Sequence, residues 1–384
     1  MKLKLQHIGP ITEAELTFGD LTVLVGPQAS GKSIALEMLK LMLDTGYVQE
    51  MMTRHGLDWS RKLPEFFDAY FGEGMRGIWD DAQSTVSWQG QPVDMPKLVG
   101  RHRPNKTESL FFIPAQRVLA LHDGWPRPFS DYAAGDPFTV REFSERLRVL
   151  VEKEFGASKS LFPQARRLKV EFRQMLEHSV FGKFRLQVDK VRAQKRLVLD
   201  AAGERLPFMV WSAGQREFVP LLLGLYWLMP PTKTSRRGDI EWVVLEELEM
   251  GLHPRAISMV LLMVLELVAR GYRVCLSTHS PQVLEAIWAL RHLKENQASA
   301  DALLTTFDAP RTQSMQELAQ TVIAKKVKVY YFDADTGRTR DISVLDPAAE
   351  ESGEAGWGGL AEFSGRANAA VADAVANAEL EVQP

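Results

Sequence analysis

Residues Gly26-Pro27-Gln28-Ala29-Ser30-Gly31-Lys32-Ser33 form a complete G-x-x-x-x-G-K-S loop, directly after the apolar run Leu21-Thr22-Val23-Leu24-Val25. A helix-like stretch follows, from Ile34 to Leu43. Strand, glycine-rich loop and helix in this order make a phosphate cradle. The glycines permit a tight turn and close backbone approach, and the amide N–H groups surround the phosphates. In such a loop Lys32 reaches the β/γ-phosphates and the Ser33 hydroxyl binds Mg²⁺. The residues from Gly26 to Ser33, with Ile34 after them, are therefore the expected binding site for ATP or another nucleoside triphosphate.

The rest of the chain reads as α/β. Phe218–Met229 is helix-like and leads to a strand, Trp242–Leu245. Another helix, Arg255–Arg270, precedes a second strand, Arg273–Ser277. This alternation predicts a mainly parallel sheet with helices around it. The first residues, Met1–Ile8, alternate like a strand, and Gly9-Pro10 and Gly19-Asp20 mark turns, which predicts an N-terminal antiparallel β subdomain. Residues 46–205 are less regular and read as an inserted helical lobe. One domain is expected over 1–345, with an acidic Ala/Gly-rich flexible tail or frayed helix over 346–384. No internal repeat and no sustained heptad is present.

The single cysteine, Cys275, excludes a disulfide framework and a cysteine-based zinc site. With no signal-peptide core at the N-terminus, a cytoplasmic location is expected. The longest apolar stretch, Val219 to Pro231, is short of the roughly 20 residues that span a bilayer, so no membrane role is expected. Net charge is −3, but charge is segregated. Residues 159–196 hold eleven Lys/Arg against three acids, and from Asp341 onward nine acids face Arg366 alone. The basic block fits either a DNA-binding surface or an ordinary solvated helix and hairpin.

Three further segments bear on chemistry. Ser212-Ala213-Gly214-Gln215 is a small-residue turn opening a helix. Its hydroxyl and amides suit a phosphate, and Ser212 equally suits a plain N-cap. Glu246 and Glu247 end an apolar strand, where open α/β sheets place their ligands. Strand alternation sends the two side chains to opposite faces, which predicts Glu246 toward Mg²⁺ and Glu247 toward an attacking water. His279, in Ser277-Thr278-His279-Ser280-Pro281, ends a second strand and suits contact with the γ-phosphate. Asp333-Ala334-Asp335 mimics an Asp-x-Asp metal pair, but a hairpin turn explains the same residues.

Taken in order, these segments resemble the ABC-type ATPase domain. More narrowly they resemble the bacterial overcoming-lysogenization-defect (OLD) family and its stand-alone relatives, over about residues 1–290. The most specific parts are Ile8-Gly9-Pro10-Ile11, Glu246-Glu247, Leu252-His253-Pro254 and Ser277-Thr278-His279-Ser280-Pro281. The resemblance implies that Gly26–Ser33 is Walker A and Ser212–Gln215 the signature motif. It also implies Glu246-Glu247 as the Walker B end, Glu249–His253 as the D-loop and His279 as the switch histidine. Gln116, in Ile113-Pro114-Ala115-Gln116-Arg117, falls where the family has its Q-loop and is a candidate Mg²⁺/water contact. Ala213, Glu246, Gln28-Ala29 and Leu248 depart from the usual pattern. The resemblance further implies a head-to-tail homodimer closing on ATP. It points to an ATPase sensor or scaffold in anti-phage defence with a separately encoded effector, since little chain remains for the Toprim nuclease of OLD proteins. The alternatives are a RecF-like DNA-repair ATPase and a nucleotide-gated module that hardly hydrolyses ATP.

Overall fold

The computed structural model describes residues 1–101, 105–155, 160–164, 167–191, 194–230, 236–346, 349, 356–357, 359–360 and 362–381. The chain opens with antiparallel β1 (Lys2–Ile8) and β2 (Ile11–Thr17). It then enters the central strand β3 (Leu21–Val25). Two short strands, β4 (Thr85–Trp88) and β5 (Gln91–Val93), complete the first sheet in the order β2-β1-β4-β5. The expected N-terminal antiparallel layer is therefore present, built in part from residues far along the chain.

The central sheet has six strands. To β3 it adds β6 (Leu110–Ile113), and the chain then forms a small hairpin, β7 (Leu121–His122) and β8 (Trp125–Pro126). A separate antiparallel sheet follows, made of β9 (Ser160–Phe162), β10 (Arg185–Val191), β11 (Gln194–Ala201) and β12 (Glu204–Pro207). The chain then returns to the central sheet with β13 (Trp242–Glu246), β14 (Arg273–Ser277), β15 (Val327–Phe332) and β16 (Thr339–Asp341). The order is β16-β15-β3-β14-β13-β6, and all neighbours are parallel except β15 and β16. This is a mixed α/β architecture around a mainly parallel sheet.

Helices cover both faces of the sheet, which is why its strands read as unbroken apolar runs. Leu24, Phe112, Val244 and Cys275 face one core, shared with α1 (Lys32–Arg54), α2 (Leu63–Phe71), α3 (Met95–Gly100) and the N-terminal sheet. Val23, Phe111, Val243 and Leu276 face the other. That second core is closed by α4 (Phe138–Val149), α5 (Val170–Leu176), α6 (Ala213–Leu228), α7 (Pro254–Ala269), α8 (Pro281–Glu295), α9 (Ala300–Thr306) and α10 (Gln313–Ile323). Each fully buried Leu, Val or Phe here contributes about 1.5–3 kcal/mol. In the tail, α11 (Glu362–Glu381) is helical, and its described side chains are exposed. No helix among the described residues is long and apolar enough to cross a membrane.

One expectation changes. Residues 46–205 do not form a lobe set apart from the core, because they contain the end of α1, the strands that finish the first sheet, and β6 of the central sheet. A buried polar cluster fixes β6. Asp44 departs from helical geometry within α1 (φ −127°, ψ 25°). Its carboxylate accepts from the amides of Ser109 and Leu110 at 2.9 Å each. Lys40 Nζ donates to Asp44 at 2.8 Å, to Glu108 at 3.1 Å and to the Leu110 carbonyl. Burial, with Glu142 nearby, pushes the Glu108 carboxyl up to about 7. This cluster sets where β6 begins, and so where Gln116 and Arg117 emerge at its far end. Replacing Lys40 by Met leaves buried Asp44 without its cation, while Glu108 keeps Arg146 at 2.9 Å, and is expected to cost about 3–5 kcal/mol. Denaturant unfolding checks this, and a loss below about 1 kcal/mol would contradict it.

Candidate functional site

The phosphate loop turns at the carboxyl end of β3. Gly26 (φ 143°) and Gly31 (φ 96°) have backbone conformations that side chains rarely adopt. Both also lie against neighbours. A Cβ at Gly26 would run into the Phe332 carbonyl oxygen, and one at Gly31 into the Ile11 side chain. Gly31 is the N-cap of α1 and offers no side-chain cap, so the first amides of α1 are free to face an anion. Ser30 Oγ donates to the Pro27 carbonyl at 2.8 Å. Lys32 Nζ donates to the carbonyls of Gly26 at 2.8 Å and Pro27 at 2.6 Å. Pro27, Gln28 and Ala29 are exposed. The Ile34 side chain packs in the core, which leaves only its backbone for a ligand.

The carboxylates converge on the same sheet edge, one strand away across β14. Glu246 Oε2 accepts from the Ala115 amide at 3.1 Å, and the Ser33 side chain lies close to this carboxylate. Glu246 Oε1 is buried with no hydrogen-bond partner. Burial raises the Glu246 pKa, and the neighbouring Ser33 hydroxyl opposes the rise. A buried carboxylate oxygen awaiting a partner beside a serine hydroxyl fits a hard dication such as Mg²⁺, which takes one or two protein oxygens and keeps its other positions for water and phosphate. Among the described residues no group of three or more His, Cys, Asp or Glu could hold a metal ion. Gln116 is exposed beside Ala115.

Glu246 and Glu247 diverge, but not by strand alternation. β13 stops at Glu246, and Glu247 adopts a left-handed backbone (φ 45°), which is strained for a residue with a side chain. Its amide donates to the Ser277 carbonyl at 2.9 Å. Its carboxylate lies 3.5 Å from His279 Nε2. Two further residues build the site: Glu249, expected only as the first residue of the D-loop, and Arg117, which had no expected role. Glu249 Oε1 accepts from Thr278 Oγ1 at 2.9 Å and from the His279 amide at 2.5 Å, which fixes the histidine loop. Arg117, fully buried, reaches the carbonyls of Glu246 and Glu247. The sequence hint for Arg117 was its place next to Gln116 at the end of an apolar strand.

Ser212 and Gln215 cap each other. Ser212 Oγ accepts from the Gln215 amide at 3.2 Å, and Gln215 Oε1 accepts from the Ser212 amide at 3.1 Å. This is a capping box. Gly214 sits against the D-loop, since a Cβ there would come within 2.8 Å of the Gly251 carbonyl oxygen. Ala213, between them, opens α6. Within one chain this segment thus meets Gly251 rather than the phosphate loop.

The basic block is not one face. Arg167 is buried against Glu154 and the Tyr226 carbonyl, Lys169 pairs with Glu266 at 2.8 Å, and Arg196 lies 3.5 Å from Asp189. Lys183, Arg185, Lys190 and Lys195 are exposed, while Lys159, Arg166 and Arg192 lie outside the described residues. The fold spends several of these cations internally, which linear charge does not reveal. Asp333 is a turn residue of the β15–β16 hairpin. Its Oδ1 accepts from the amides of Asp335 at 2.9 Å and Thr336 at 3.2 Å.

A family model described as "AAA domain, putative AbiEii toxin, Type IV TA system" matches residues 129–285. That span contains Ser212–Gln215, the Glu246-Glu247 pair and His279, and begins after the phosphate loop. No curated protein matches the sequence. Among solved structures, an SMC head bound to the C-terminal winged-helix domain of ScpA aligns at TM-score 0.41 and 11% identity, over 88% of this chain and 95% of its own. The SMC head domain from Thermotoga maritima aligns at 0.34 and 12%, over 88% and 97%. An SMC head with an extended coiled coil, bound to the C-terminal domain of ScpA from Pyrococcus furiosus, aligns at 0.31 and 9%, over 88% and 94%.

The Lys32 ammonium gives the site a pH dependence. Burial draws its pKa down to about 8, against the opposing pull of Glu247, Glu246 and Glu249. The group is charged below that value and loses its charge as pH rises through it. Polyphosphate binding needs the charged form, so affinity for a fluorescent ATP analogue is expected to be about tenfold weaker at pH 9 than at pH 7, with proton uptake on binding. A flat dissociation constant over that range would show that Lys32 is not the group contacting phosphate.

Proposed function

We propose that this chain is an ABC-type ATPase that binds and hydrolyses ATP with Mg²⁺ and closes head to tail as a homodimer around the nucleotide. The observation that carries this reading is the shared edge of the central sheet. There the Gly26–Ser33 loop, the Ser33–Glu246 contact with its unpartnered Oε1, and the Glu247–His279 pair come together. Each supplies one function of phosphoryl transfer, in which positioning and charge stabilisation do most of the work.

The loop amides and Lys32 hold the phosphates. Ser33 and Glu246 hold the metal, with Gln116 at the rim as a further oxygen ligand. When bound, Mg²⁺ neutralises charge on the phosphate oxygens. Glu247 orients the attacking water and accepts its proton, and His279 Nε2 lies beside that carboxylate to hold its position. The Ser212–Gln215 helix start, closed on itself by its capping box and resting on Gly251, meets the second copy's phosphates rather than its own. A nucleotide bound in this way belongs to the interface, and its preference for the closed state drives closure.

The family match, with its toxin–antitoxin description, favours a role as sensor or scaffold for a separate effector in bacterial anti-phage defence. The exposed cations Lys183, Arg185, Lys190 and Lys195 on β10 and β11 and the loops beside them keep a RecF-like DNA-binding role as the second reading.

Replacing Glu247 by Gln keeps the side-chain shape and removes the base. It is expected to lower kcat by about 100- to 1,000-fold while ATP binding persists, with particle mass doubling in ATP. Steady-state hydrolysis and light scattering, with and without duplex DNA, check this. Turnover that survives the substitution would refute the assignment of Glu247, and DNA-stimulated turnover would favour the second reading.

A further inference from the structure

We infer that Arg117 is a positioning residue: its guanidinium holds the Glu247 backbone in the left-handed turn that aims the carboxylate at His279, and it ties that turn to the first helical turn after Ser212–Gln215. This rests on the reading of Glu247 as the group that orients water. Arg117 leaves β6 just beyond Ala115 and Gln116 and is fully buried. Its Nη1 donates to the Glu246 carbonyl and its Nη2 to the Glu247 carbonyl, both at 3.0 Å. Its Nε donates to the Glu217 carbonyl at 3.3 Å and lies 3.7 Å from Glu217 Oε2.

The fork depends on the turn. Along an extended strand, successive carbonyls point to opposite sides. The positive φ of Glu247 turns its carbonyl so that it and the Glu246 carbonyl reach the same planar guanidinium. An extended Glu247 would point its carbonyl away and break one arm. Two charge-assisted hydrogen bonds therefore offset a backbone conformation that a non-glycine residue otherwise avoids. The Glu247 amide is pinned from the other side by the Ser277 carbonyl, and its carbonyl also accepts from the Met250 amide at 3.1 Å.

The same cation sits among acids. Burial lowers its pKa, and Glu217, Glu249, Glu247 and Glu246 raise it in turn. Arg117 thus also relieves repulsion among carboxylates crowded at one edge. Glu217 stands in the first turns of α6, and Gly214, at the start of that helix, touches Gly251 of the D-loop. A shift of the Ser212–Gln215 helix start is transmitted through Glu217 and Arg117 to Glu247 by this path.

Lysine keeps the charge but cannot span two carbonyls. Arg117→Lys in the full chain is therefore expected to lower kcat at least about tenfold, with the Kd for ATP within about threefold of wild type. Without nucleotide, hydrogen exchange at the amides of 247–250 should quicken at least about tenfold, while residues 21–31 stay unchanged. In a Glu247→Gln background the same change should alter residual turnover by less than about twofold, because Arg117 acts through Glu247. Equal loss in both backgrounds, or unchanged exchange at 247–250, overturns the inference.

If Arg117→Lys does not fold, Glu217→Gln, which removes the partial countercharge, is read by the same exchange measurement. Quickened exchange at 247–250 supports the tie, and unchanged exchange overturns it. A wild-type chain that does not hydrolyse ATP would end the ATPase reading, yet the exchange comparison would still decide the role of Arg117.

Discussion

Charge crowded onto one edge of a buried parallel sheet is the constraint on which the rest of this molecule depends. Glu246, Glu247 and Glu249 meet Lys32 and Arg117 where β3, β13 and β14 end. Water is scarce there, so each charge must find a partner or lose its charge. The fold answers with backbone groups. Loop carbonyls receive Lys32, strand-end carbonyls receive Arg117, and the His279 amide donates to Glu249. Three buried carboxylate oxygens without a hydrogen-bond partner, Glu217 Oε2, Glu246 Oε1 and Glu249 Oε2, belong to this same group of charges.

Two rigid layers make that arrangement possible. On one side α1 carries the loop, and its Lys40–Asp44 pair grips the start of β6. On the other, α6 and the segment after β13 abut at Gly214 and Gly251, where no side chain fits without displacement. The segments that bear on chemistry are thus held by side chains bonded to backbone groups, Glu249 on His279 and Arg117 on Glu246 and Glu247, and by the close approach of Gly214 to Gly251.

The glycine-rich loop between β3 and α1 was legible in the sequence because its geometry is local. Eight consecutive residues and their flanking strand and helix carry the whole signal. The strand Arg273–Ser277 was legible for a related reason, since beyond Arg273 it is buried on both faces and mostly apolar. Period-two reasoning failed at Glu247. It presumed that the strand continued, and the chain instead turns left-handed there. The basic block stayed ambiguous in the sequence because linear charge does not show that Arg167, Lys169 and Arg196 pair with Glu154, Glu266 and Asp189.

By itself the sequence determined the glycine-rich strand–loop–helix, the alternation that builds a parallel sheet, and the residue types available at each strand end. These follow from short-range geometry: the conformational freedom of glycine, strand and helix periodicity, and the place of polar residues after apolar runs. Only the tertiary structure decided that β6 joins the central sheet from within the irregular region, and that Arg117 meets Glu246 and Glu247 about 130 positions away. It also decided which cations face solvent. Such pairings are selected by the burial of many side chains at once, and no single segment of the chain carries that information.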